Sequence, residues 1–340
     1  MRRKFVGAFW VALLCVVLGE EQPEAEEDRI TLGLYVLYDD AFNNRAAFKQ
    51  SDEELTSYFT VLVNTAQAYF RGLRDPSLTL TLVGSKRLWD EEIISYVEEN
   101  RKKLVDAAAT LPRLEDAVRW NKSVPVGVDV VFLITGIETK TREDSFTKDW
   151  KGLSVPKTIC FSAGTEMAKA AGIAHDDGET FNGATLMALQ VALLLGASKD
   201  SLRNRRCRSA GSHLTSSMKG GIHPYLSECS KNSLQDFYYR NFERPNICWK
   251  DSPIPADQGN EHLPMDFYKE KGHDYCYVHS TRFTSLYTCK PLQVGVDPAA
   301  CKAPCCEYRR GGEYRYYKDI RAPDGTPCGD NKVCLLGECV

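Results

Sequence analysis

Histidine is scarce in this chain of 340 residues, and the spacing of the few histidines excludes one type of catalytic site. A helix that holds catalytic zinc presents two imidazoles on one face, which requires histidines at positions i and i+4. The chain has only six histidines, and no two of them are four residues apart: His175, His213, His223, His262, His273 and His279. A zinc site built from two histidines of one helix is therefore excluded in every register.

Two other catalytic signatures are also missing, as are long apolar runs beyond the N-terminus. The sequence has neither the G-x-S-x-G elbow of serine hydrolases nor the glycine-rich loop that binds nucleotide phosphates. The long apolar run Phe5–Leu18 follows Arg2, Arg3 and Lys4, which is the pattern of a secretory signal peptide over residues 1–19. We therefore expect a secreted, extracellular protein without a membrane span.

The chain also lacks a surplus of basic residues. Lys and Arg number 43 against 46 Asp and Glu, and the formal net charge is −3. A general field that attracts nucleic acid is not expected from this balance, so we predict no nucleic-acid partner. The dense basic segment at residues 203–208 is interpreted as a solvated loop or, alternatively, as a polyanion patch or a dibasic processing site.

Cysteine, in contrast, is abundant. The chain has 13 cysteines, and removal of Cys15 with the signal peptide leaves an even number. Eight lie close together near the C-terminus, which favours a disulfide scaffold in unknown pairing order over a hydrophobic core or a zinc site. They are Cys276, Cys289, Cys301, Cys305, Cys306, Cys328, Cys334 and Cys339.

Patterning before these cysteines predicts a mixed α/β sheet with helices. An acidic leader covers residues 20–28, and the sequon at Asn121 predicts a surface glycan. Ser51 and Glu54 form the capping box of a helix. The other predicted elements are strands at Ile30–Leu37, around Leu78, Leu80 and Leu82, at Val126–Ile134 and, on an edge, at Gly152–Phe161, and a helical stretch from Asp90 to Trp120 broken near Pro112.

Residues 185–200 carry a resemblance to a known family. They read Thr-Leu-Met-Ala-Leu-Gln-Val-Ala-Leu-Leu-Leu-Gly-Ala-Ser-Lys-Asp. This segment resembles the active-site helix of the reprolysin-like metzincins, secreted zinc proteases with the motif H-E-x-x-H-x-x-G-x-x-H-D. Gly196 and Asp200 match the glycine and the closing acid, and they set the register. The three zinc-binding histidines are then replaced by Leu189, Leu193 and Lys199, and the catalytic glutamate is replaced by Gln190.

These replacements predict that the chemistry of the family is lost. Leucine has no lone pair, a charged lysine has only donors, and a glutamine side chain cannot take a proton from water as a carboxylate does. The resemblance implies zinc as the cofactor, but the ligands are absent, so we predict neither a metal nor catalytic residues. We expect Leu189 and Leu193 to pack in the core. For Lys199, a solvated ammonium and an ammonium in the former zinc position remain alternatives.

Two further segments extend the resemblance. Leu226–Ser230 resembles the start of the last helix of a reprolysin domain, here predicted at Leu234–Tyr239. The methionine that lies beneath the zinc in this family is expected near residues 214–216, where Thr215 replaces it; Met218 is a poorer candidate for this methionine. The resemblance also implies the disulfides Cys160–Cys248 and Cys207–Cys229. The ending from Asp324 to Cys339 resembles the cysteine-rich domains of ADAM- and ADAMTS-type proteases, and the arrangement is most similar to salivary metalloproteases of blood-feeding ticks.

Together these features predict a signal peptide at residues 1–19, a leader at 20–28, a metzincin-like domain at 29–250, a linker at 251–270 and a small disulfide-rich domain at 271–340. The binding surface proposed from the sequence lies in the last of these. Its residues form either an exosite or a plain hairpin around Gly311-Gly312, and the two are compatible. They are Tyr308, Arg309, Arg310, Tyr314, Arg315, Tyr316 and Tyr317.

The leading hypothesis is a secreted, catalytically inactive reprolysin homologue that binds an extracellular protein such as a host matrix component, an integrin or a haemostasis factor. The first alternative is an active zinc metalloendopeptidase with a non-standard metal site. The second alternative is an abundant structural protein of saliva without a specific partner.

Overall fold

The computed structural model describes residues 28–46, 51–120, 124–141, 152–160, 170–200, 206–208, 213–216, 225–244, 247–250, 252–257, 262–278, 285–289, 297–309, 313–317 and 319–340. Several sequence predictions lie outside these ranges: the signal peptide, the leader up to residue 27, the sequon at Asn121, the basic residues 203–205, and Arg310. Within the described ranges, none of the helices is long and apolar enough to cross a membrane.

The described strands are, in chain order, β1 (Arg29–Tyr38), β2 (Ser77–Arg87), β3 (Tyr96–Glu99), β4 (Lys102–Asp106), β5 (Val130–Thr135), β6 (Thr139–Lys140), β7 (Gly152–Ser154), β8 (Ala170–His175), β9 (Tyr287–Thr288), β10 (Cys305–Tyr308), β11 (Tyr314–Tyr317), β12 (Pro327–Gly329), β13 (Lys332–Leu335) and β14 (Glu338–Cys339). The described α-helices are α1 (Asp40–Arg45), α2 (Asp52–Ala68), α3 (Ala107–Trp120), α4 (Gly183–Leu194), α5 (Glu228–Asn241), α6 (Pro264–Glu270) and α7 (Tyr275–Val278).

The centre of the fold is a five-stranded sheet in the order β2-β1-β5-β8-β7. The pairs β1–β2, β1–β5 and β5–β8 are parallel, and β7 runs antiparallel to β8 at the edge. Side chains of a strand alternate between the two faces, so each face needs its own cover. Leu34 and Val36 of β1 join a large core with α2 and α4, whereas Tyr35 and Leu37 join a second core with α3.

The predicted mixed α/β sheet with helices is confirmed, and so is the disulfide-rich region that follows it. The Ser51 hydroxyl accepts a hydrogen bond from the Glu54 amide at the start of α2, as the capping box required. Leu78, Leu80 and Leu82 are buried on one face of β2, as their alternation predicted.

The helical stretch expected from Asp90 to Trp120 is wrong in its first half. Residues 91–93 form a single 3-10 turn, and β3 and β4 then form an antiparallel hairpin. Asn100 and Arg101 at its tip both have positive φ, 50° and 64°, which matches the twist of a tight hairpin. Pro112 lies inside α3 and does not break it.

Several expected boundaries differ from those observed. The edge strand expected at Gly152–Phe161 ends at Ser154, and the last helix, expected at Leu234–Tyr239, spans Glu228–Asn241. Asp28, assigned to the acidic leader, already belongs to the fold because its carbonyl accepts a hydrogen bond from the Ser77 amide. The strand expected from Val126 begins at Val130, and Val126 itself is fully exposed. Residues 264–270, within the range expected to be a linker, form α6, whose Phe267 and Tyr268 side chains are buried in the large core.

The C-terminal region consists of small sheets joined by disulfides. Strands β9, β10 and β11 form one antiparallel sheet, and β12, β13 and β14 form another. Its own buried clusters are small, four residues each, and half of those residues or more are cysteines. The disulfides of this region are Cys276–Cys305, Cys289–Cys306, Cys301–Cys334 and Cys328–Cys339.

Candidate functional site

Helix α4 is anchored at its N-terminus by a buried carboxylate. The Asp176 side chain accepts hydrogen bonds from the Gly183 amide at 2.7 Å, the Gly178 amide at 2.8 Å and the Tyr58 hydroxyl at 2.7 Å. Burial, followed by the charge of the neighbouring Asp177, raises the pKa of Asp176 to about 6. These bonds connect the end of β8, the start of α4 and helix α2, so they fix where α4 begins.

A tight turn ends the helix. Gly196 has φ +84°, and its amide donates to the Leu193 carbonyl at 2.9 Å. A Cβ atom at Gly196 would lie 2.9 Å from Cβ of Phe237 in α5, so the position needs glycine for both its conformation and its space. The fold therefore requires glycine at position 196, and this requirement is independent of any metal.

The first and second histidine positions of the motif are occupied by core residues. Leu189 and Leu193 are each 3% exposed, and both belong to the large core cluster. They lie one helical turn apart and hence on the same face of α4. In place of two imidazoles, this face presents two aliphatic side chains in a packed interior.

Gln190, at the glutamate position, is directed toward the edge strand. Its side chain is fully buried, and its Oε1 accepts a hydrogen bond from the Ser154 hydroxyl of β7 at 2.8 Å. Its Nε2 has no hydrogen-bond partner among the described residues. A neutral amide is tolerated at this depth at moderate cost, whereas a carboxylate without a partner would be far more costly to bury.

Lys199, at the third histidine position, is exposed, in contrast to the neighbouring Asp200. Asp200 is 2% exposed and accepts hydrogen bonds from the hydroxyls of Ser227 at 2.6 Å, Ser216 at 3.0 Å and Thr215 at 3.2 Å. Its amide also donates to the Thr215 carbonyl at 3.2 Å. One carboxylate thus holds together the segment after α4, residues 213–216, and the start of α5.

Thr215, at the position expected for the family's methionine, is part of this polar network. It is completely buried, and its hydroxyl lies 2.7 Å from the hydroxyl of Ser230 in α5. A threonine in this place contributes hydrogen bonds in place of the thioether contact that a methionine would provide. The site therefore contains a closed hydroxyl–carboxylate network where the family would have the floor of a metal site.

The residues at these positions do not fit a zinc ion. Zinc in proteins takes nitrogen, sulfur or carboxylate oxygen ligands, and the register positions offer two buried aliphatic chains, one amide and one exposed ammonium. In the part of the chain that the structure describes, one group of three His, Cys, Asp or Glu side chains brings its ligand atoms close enough together to hold a metal ion. This group is Cys301, Cys328 and Cys334. All three are in disulfides, so their sulfur atoms are not available as thiolate ligands.

The two aspartates after β8 also have local structural partners. Asp177 accepts hydrogen bonds from the Thr180 hydroxyl at 2.6 Å and the Asn182 amide group at 2.9 Å. Together with the bonds to Asp176, these contacts close the turn that leads into α4. These hydrogen bonds give both aspartate side chains partners within the protein, so neither requires a bound cation.

Two disulfides secure the surroundings of α4. Cys160–Cys248 has Cα atoms 5.5 Å apart, and Cys207–Cys229 has Cα atoms 6.1 Å apart. These are the pairs that the resemblance implied. The first links the segment after β7 to the turn at residues 248–250, and the second links residues 206–208 to α5.

The tyrosine-rich segment forms a hairpin with two different faces. In the register of β10 and β11, Tyr308 lies opposite Tyr314, and Cys306 lies opposite Tyr316 and Tyr287 of β9. Tyr308, Tyr314 and Tyr316 are 60%, 52% and 40% exposed. The Tyr308 and Tyr314 rings are 5.3 Å apart between centroids, and the Tyr314 and Tyr316 rings are 6.4 Å apart.

The other face of this hairpin is charged and is internally paired. The Glu307 carboxylate accepts a hydrogen bond from the Tyr317 hydroxyl at 3.0 Å and lies 3.5 Å from the Arg309 guanidinium. The Arg315 guanidinium lies 5.2 Å from the centre of the Tyr317 ring. Among the described residues of these strands, the tyrosine face, defined as Tyr287, Tyr308, Tyr314 and Tyr316, carries no charged side chain, and three of its four rings are exposed.

Sequence reasoning missed the two carboxylates that hold the site together. Asp200 was used only to set the register, and no role was assigned to Asp176 from the sequence. A usable signal for Asp200 exists in the density of hydroxyl residues in its surroundings, at Ser216, Ser227 and Ser230. No local signal identifies the bond between Asp176 and Tyr58, because 118 residues separate them.

Comparison with known proteins gives a distant match. No family model matches the chain. It is 22% identical over 310 residues to a Bombyx mori protein described as "A disintegrin and metalloproteinase with thrombospondin motifs like", a match that covers 84% of this chain and 41% of that protein. The chain thus spans less than half the length of this relative.

Two solved structures show weaker likeness. Metalloproteinase-II from Bacteroides fragilis has a TM-score of 0.38 and 13% identity over 64% of this chain and 55% of that one. A structure of a chaperone–substrate complex has a TM-score of 0.33 and 14% identity over 61% of this chain and 31% of that one. By its sequence, the chain is a distant homologue of an ADAMTS-like metalloproteinase.

Proposed function

We propose that this protein is a secreted, catalytically inactive homologue of reprolysin-like metalloproteinases that acts by binding an extracellular protein. One observation carries the proposal, namely the state of the four register positions in and just after α4. Leu189 and Leu193 are buried in the core, and Gln190 is hydrogen-bonded to Ser154. Lys199, beyond the end of the helix, is exposed. A zinc-dependent mechanism has no donor set at these positions. The helix end and its carboxylate anchor persist, which supports descent from an enzyme of this fold.

Cysteine usage supports an extracellular location. The six described disulfides account for the twelve cysteines that follow Cys15. Disulfides persist in oxidising compartments and are rare in the cytosol. Together with the signal-peptide pattern at residues 1–19, they favour an exported protein.

The tyrosine face is the surface that we propose for the partner. Tyrosine is enriched among the residues that carry binding energy in interfaces, because it has a large ring, a hydroxyl and few rotatable bonds. Cys306 lies between these rings and is disulfide-bonded to Cys289, which holds the strands beneath the face rigid. A rigid platform loses little entropy on binding.

The partner class comes from the resemblance alone. The likeness to salivary metalloproteases of blood-feeding ticks stays a prediction, and it directs the search toward matrix proteins, integrins and haemostasis factors. In this proposal the protein functions by recognising its partner, and the hairpin, not α4, contacts that partner.

The first test is metal content together with peptidase activity on the secreted, oxidised protein. Elemental analysis should find zinc far below one equivalent, and a generic peptide substrate should not be cleaved above the chelator-treated control. An active ADAMTS-type protease purified alongside confirms that both assays respond. One equivalent of zinc together with chelator-sensitive cleavage would overturn the proposal and support the alternative of a non-standard metal site.

The second test concerns the tyrosine face. Tyr308→Ser, Tyr314→Ser and Tyr316→Ser together should weaken binding at least tenfold to whichever immobilised collagen, fibrinogen or integrin ectodomain the wild-type protein binds, as measured by surface plasmon resonance. Tyr277→Ser is the matched control because Tyr277 is 64% exposed and lies outside the hairpin. Equal affinities for the triple variant and the wild type would remove this face from the proposal, and absence of binding to every ligand would favour the structural-protein alternative.

A further inference from the structure

A second recognition site is suggested by a cavity at the first residues of β1, the opposite end of the strand from Tyr35 and Leu37 of the second core. The cavity has a volume of about 610 Å³ and lies between the first residues of β1 and β2, the end of α5 and the turn at residues 248–250. This volume is within the range of roughly 300–1,000 Å³ that is typical of sites for small ligands. None of its lining residues belongs to α4 or to the tyrosine face, so the inference is independent of the proposed function.

The wall formed by the sheet is rich in hydroxyl groups. Thr31 of β1 is the Cα partner of Thr79 in β2, and Thr81 follows on the same face. Farther along this face, Tyr35 and Leu37 are buried in the second core, whereas the three threonines line the cavity. Among the described residues, the hydroxyls of Thr31 and Thr81 have no hydrogen-bond partner, so they are available to a ligand.

The rim carries two cations that no carboxylate of the described residues neutralises. The Arg29 guanidinium donates to the Thr79 hydroxyl at 3.3 Å, and the Lys250 ammonium lies 4.2 Å from the centre of the Phe242 ring. Neither Arg29 nor Lys250 is in any ion pair within the described part of the chain. Both are exposed and belong to the cavity lining.

The carboxylate in the lining is already bonded to the protein. Asp28 accepts hydrogen bonds from the Tyr239 hydroxyl at 2.6 Å and the Tyr238 hydroxyl at 3.4 Å. Two basic side chains and one acidic side chain therefore leave the lining with a net positive charge. This local charge contrasts with the net charge of −3 for the whole chain.

An aromatic ring completes the site. Phe242 is 37% exposed, and the buried Trp249 also belongs to the lining. A partly exposed ring next to hydroxyls and cations suits a ligand that has an apolar C–H face, several hydroxyls and negative groups. Sulfated or carboxylated sugars combine these three properties in one ring.

We propose that this cavity binds an anionic saccharide, with Arg29 and Lys250 at its sulfate or carboxylate groups, Thr31 and Thr81 at its hydroxyls, and Phe242 against its ring. Charge-assisted hydrogen bonds to the two cations provide affinity, and the threonines provide selectivity for a sugar over a simple anion. Because both cations are exposed, binding weakens as ionic strength rises.

The test is isothermal titration of the full secreted protein with a sulfated heparin disaccharide at low ionic strength. Arg29→Gln with Lys250→Gln should weaken binding at least tenfold, and Thr31→Val with Thr81→Val should weaken it several-fold while keeping the shape of the wall. The matched control is Lys86→Gln with Lys332→Gln, which removes the same charge at exposed positions outside the cavity and should leave the affinity unchanged.

Amide chemical-shift mapping of the wild-type protein avoids dependence on any variant that fails to fold. The disaccharide should perturb the amides of residues 29–31, 79–81 and 249–250, and its unsulfated counterpart should bind much more weakly. Absence of binding, equal loss of affinity in the control pair, perturbations confined to other regions, or equal affinity for inorganic sulfate would each overturn the proposal.

Discussion

The part of the chain that forms the five-stranded sheet and its two cores, here called the sheet domain, is stabilised differently from the cysteine-rich C-terminal region. Two extensive apolar clusters cover the two faces of the five-stranded sheet, and the disulfides of this domain only supplement them. The C-terminal region has buried clusters of four residues and four disulfides within residues 276–339. A short segment buries too little apolar area to fold by packing alone, and covalent links compensate for this deficit.

This contrast explains where each region tolerates change. A packed core holds α4 in place, and Leu189 and Leu193 are part of that core. Among the described residues of the C-terminal region, exposed side chains outnumber buried ones, and the disulfides keep the backbone fixed beneath them. The tyrosine face of the hairpin can therefore vary in composition with little effect on the fold.

The largest expected effect comes from removing one disulfide in each region. Loss of Cys301–Cys334, which spans 33 residues, and loss of Cys207–Cys229, which spans 22, should each cost about 3–4 kcal/mol from loop closure. The Cys301→Ser, Cys334→Ser variant should lose protection from hydrogen exchange across residues 297–340. The Cys207→Ser, Cys229→Ser variant should keep a protected sheet. Equal protection in the two variants would contradict the division between packing and covalent stabilisation.

The next effect concerns Leu193 and Lys199, two of the four register positions, within the sheet domain. Leu193→Ala should lower the free energy of unfolding by about 2–5 kcal/mol, because it leaves a cavity in the core. Lys199→Ala should change it by no more than about 0.5 kcal/mol, because Lys199 is exposed. Urea titrations of both variants make the comparison. A small effect of Leu193→Ala would mean that α4 borders an open cleft.

A smaller effect should appear in the pH dependence of the sheet domain. Burial raises the pKa of Asp176 from 3.8 to about 6, so the native state binds its proton more tightly than the unfolded chain does. The resulting stability is fully present below pH 4 and is lost as pH rises through 6. For this group alone it amounts to about 3 kcal/mol.

The matched variant for this experiment is Asp176→Asn, which cannot titrate. Burial also raises the pKa values of Asp39 and Asp324, so the wild-type protein includes contributions of the same sign from other groups. Urea titrations at pH 4.5 and pH 7 should show a smaller loss of stability in the variant than in the wild-type protein. Identical pH dependence in the two proteins would show that Asp176 does not titrate in this range.

Sequence patterns predicted those elements whose stability is local. The N-cap at Ser51, the alternating leucines of β2 and the buried run of β5 each depend on neighbouring residues, and all three were located. The hairpin of β3 and β4 was mistaken for helix because Glu and Lys favour helices. The hairpin is stabilised by contacts between strands. The Lys103 ammonium lies 3.6 Å from the centre of the Tyr96 ring on the neighbouring strand, and β6 pairs with β4.

The candidate site shows the same division between local features, which the sequence predicts, and contacts between distant residues, which it does not. The register of α4 could be fixed from Gly196 and Asp200, because a helix-ending glycine and an acid at a set distance are local features. The partners of Asp200 and Asp176 could not be predicted, since they come from residues far away in sequence. Likewise, α6 carries Phe267 into a cluster with Tyr58 and Phe181, and the proline-rich composition before α6 suggested a linker.

The turn at Gly196 and the carboxylate of Asp200 have a consequence for recognising related proteins. Their roles here are conformational: one position admits no side chain, and the other gathers hydroxyl groups from two segments. Neither role depends on a metal, so both residues can outlast catalysis during evolution. A search pattern built on the histidines passes over such descendants, whereas one built on this glycine, this acid and a serine at the start of the following helix would retrieve them.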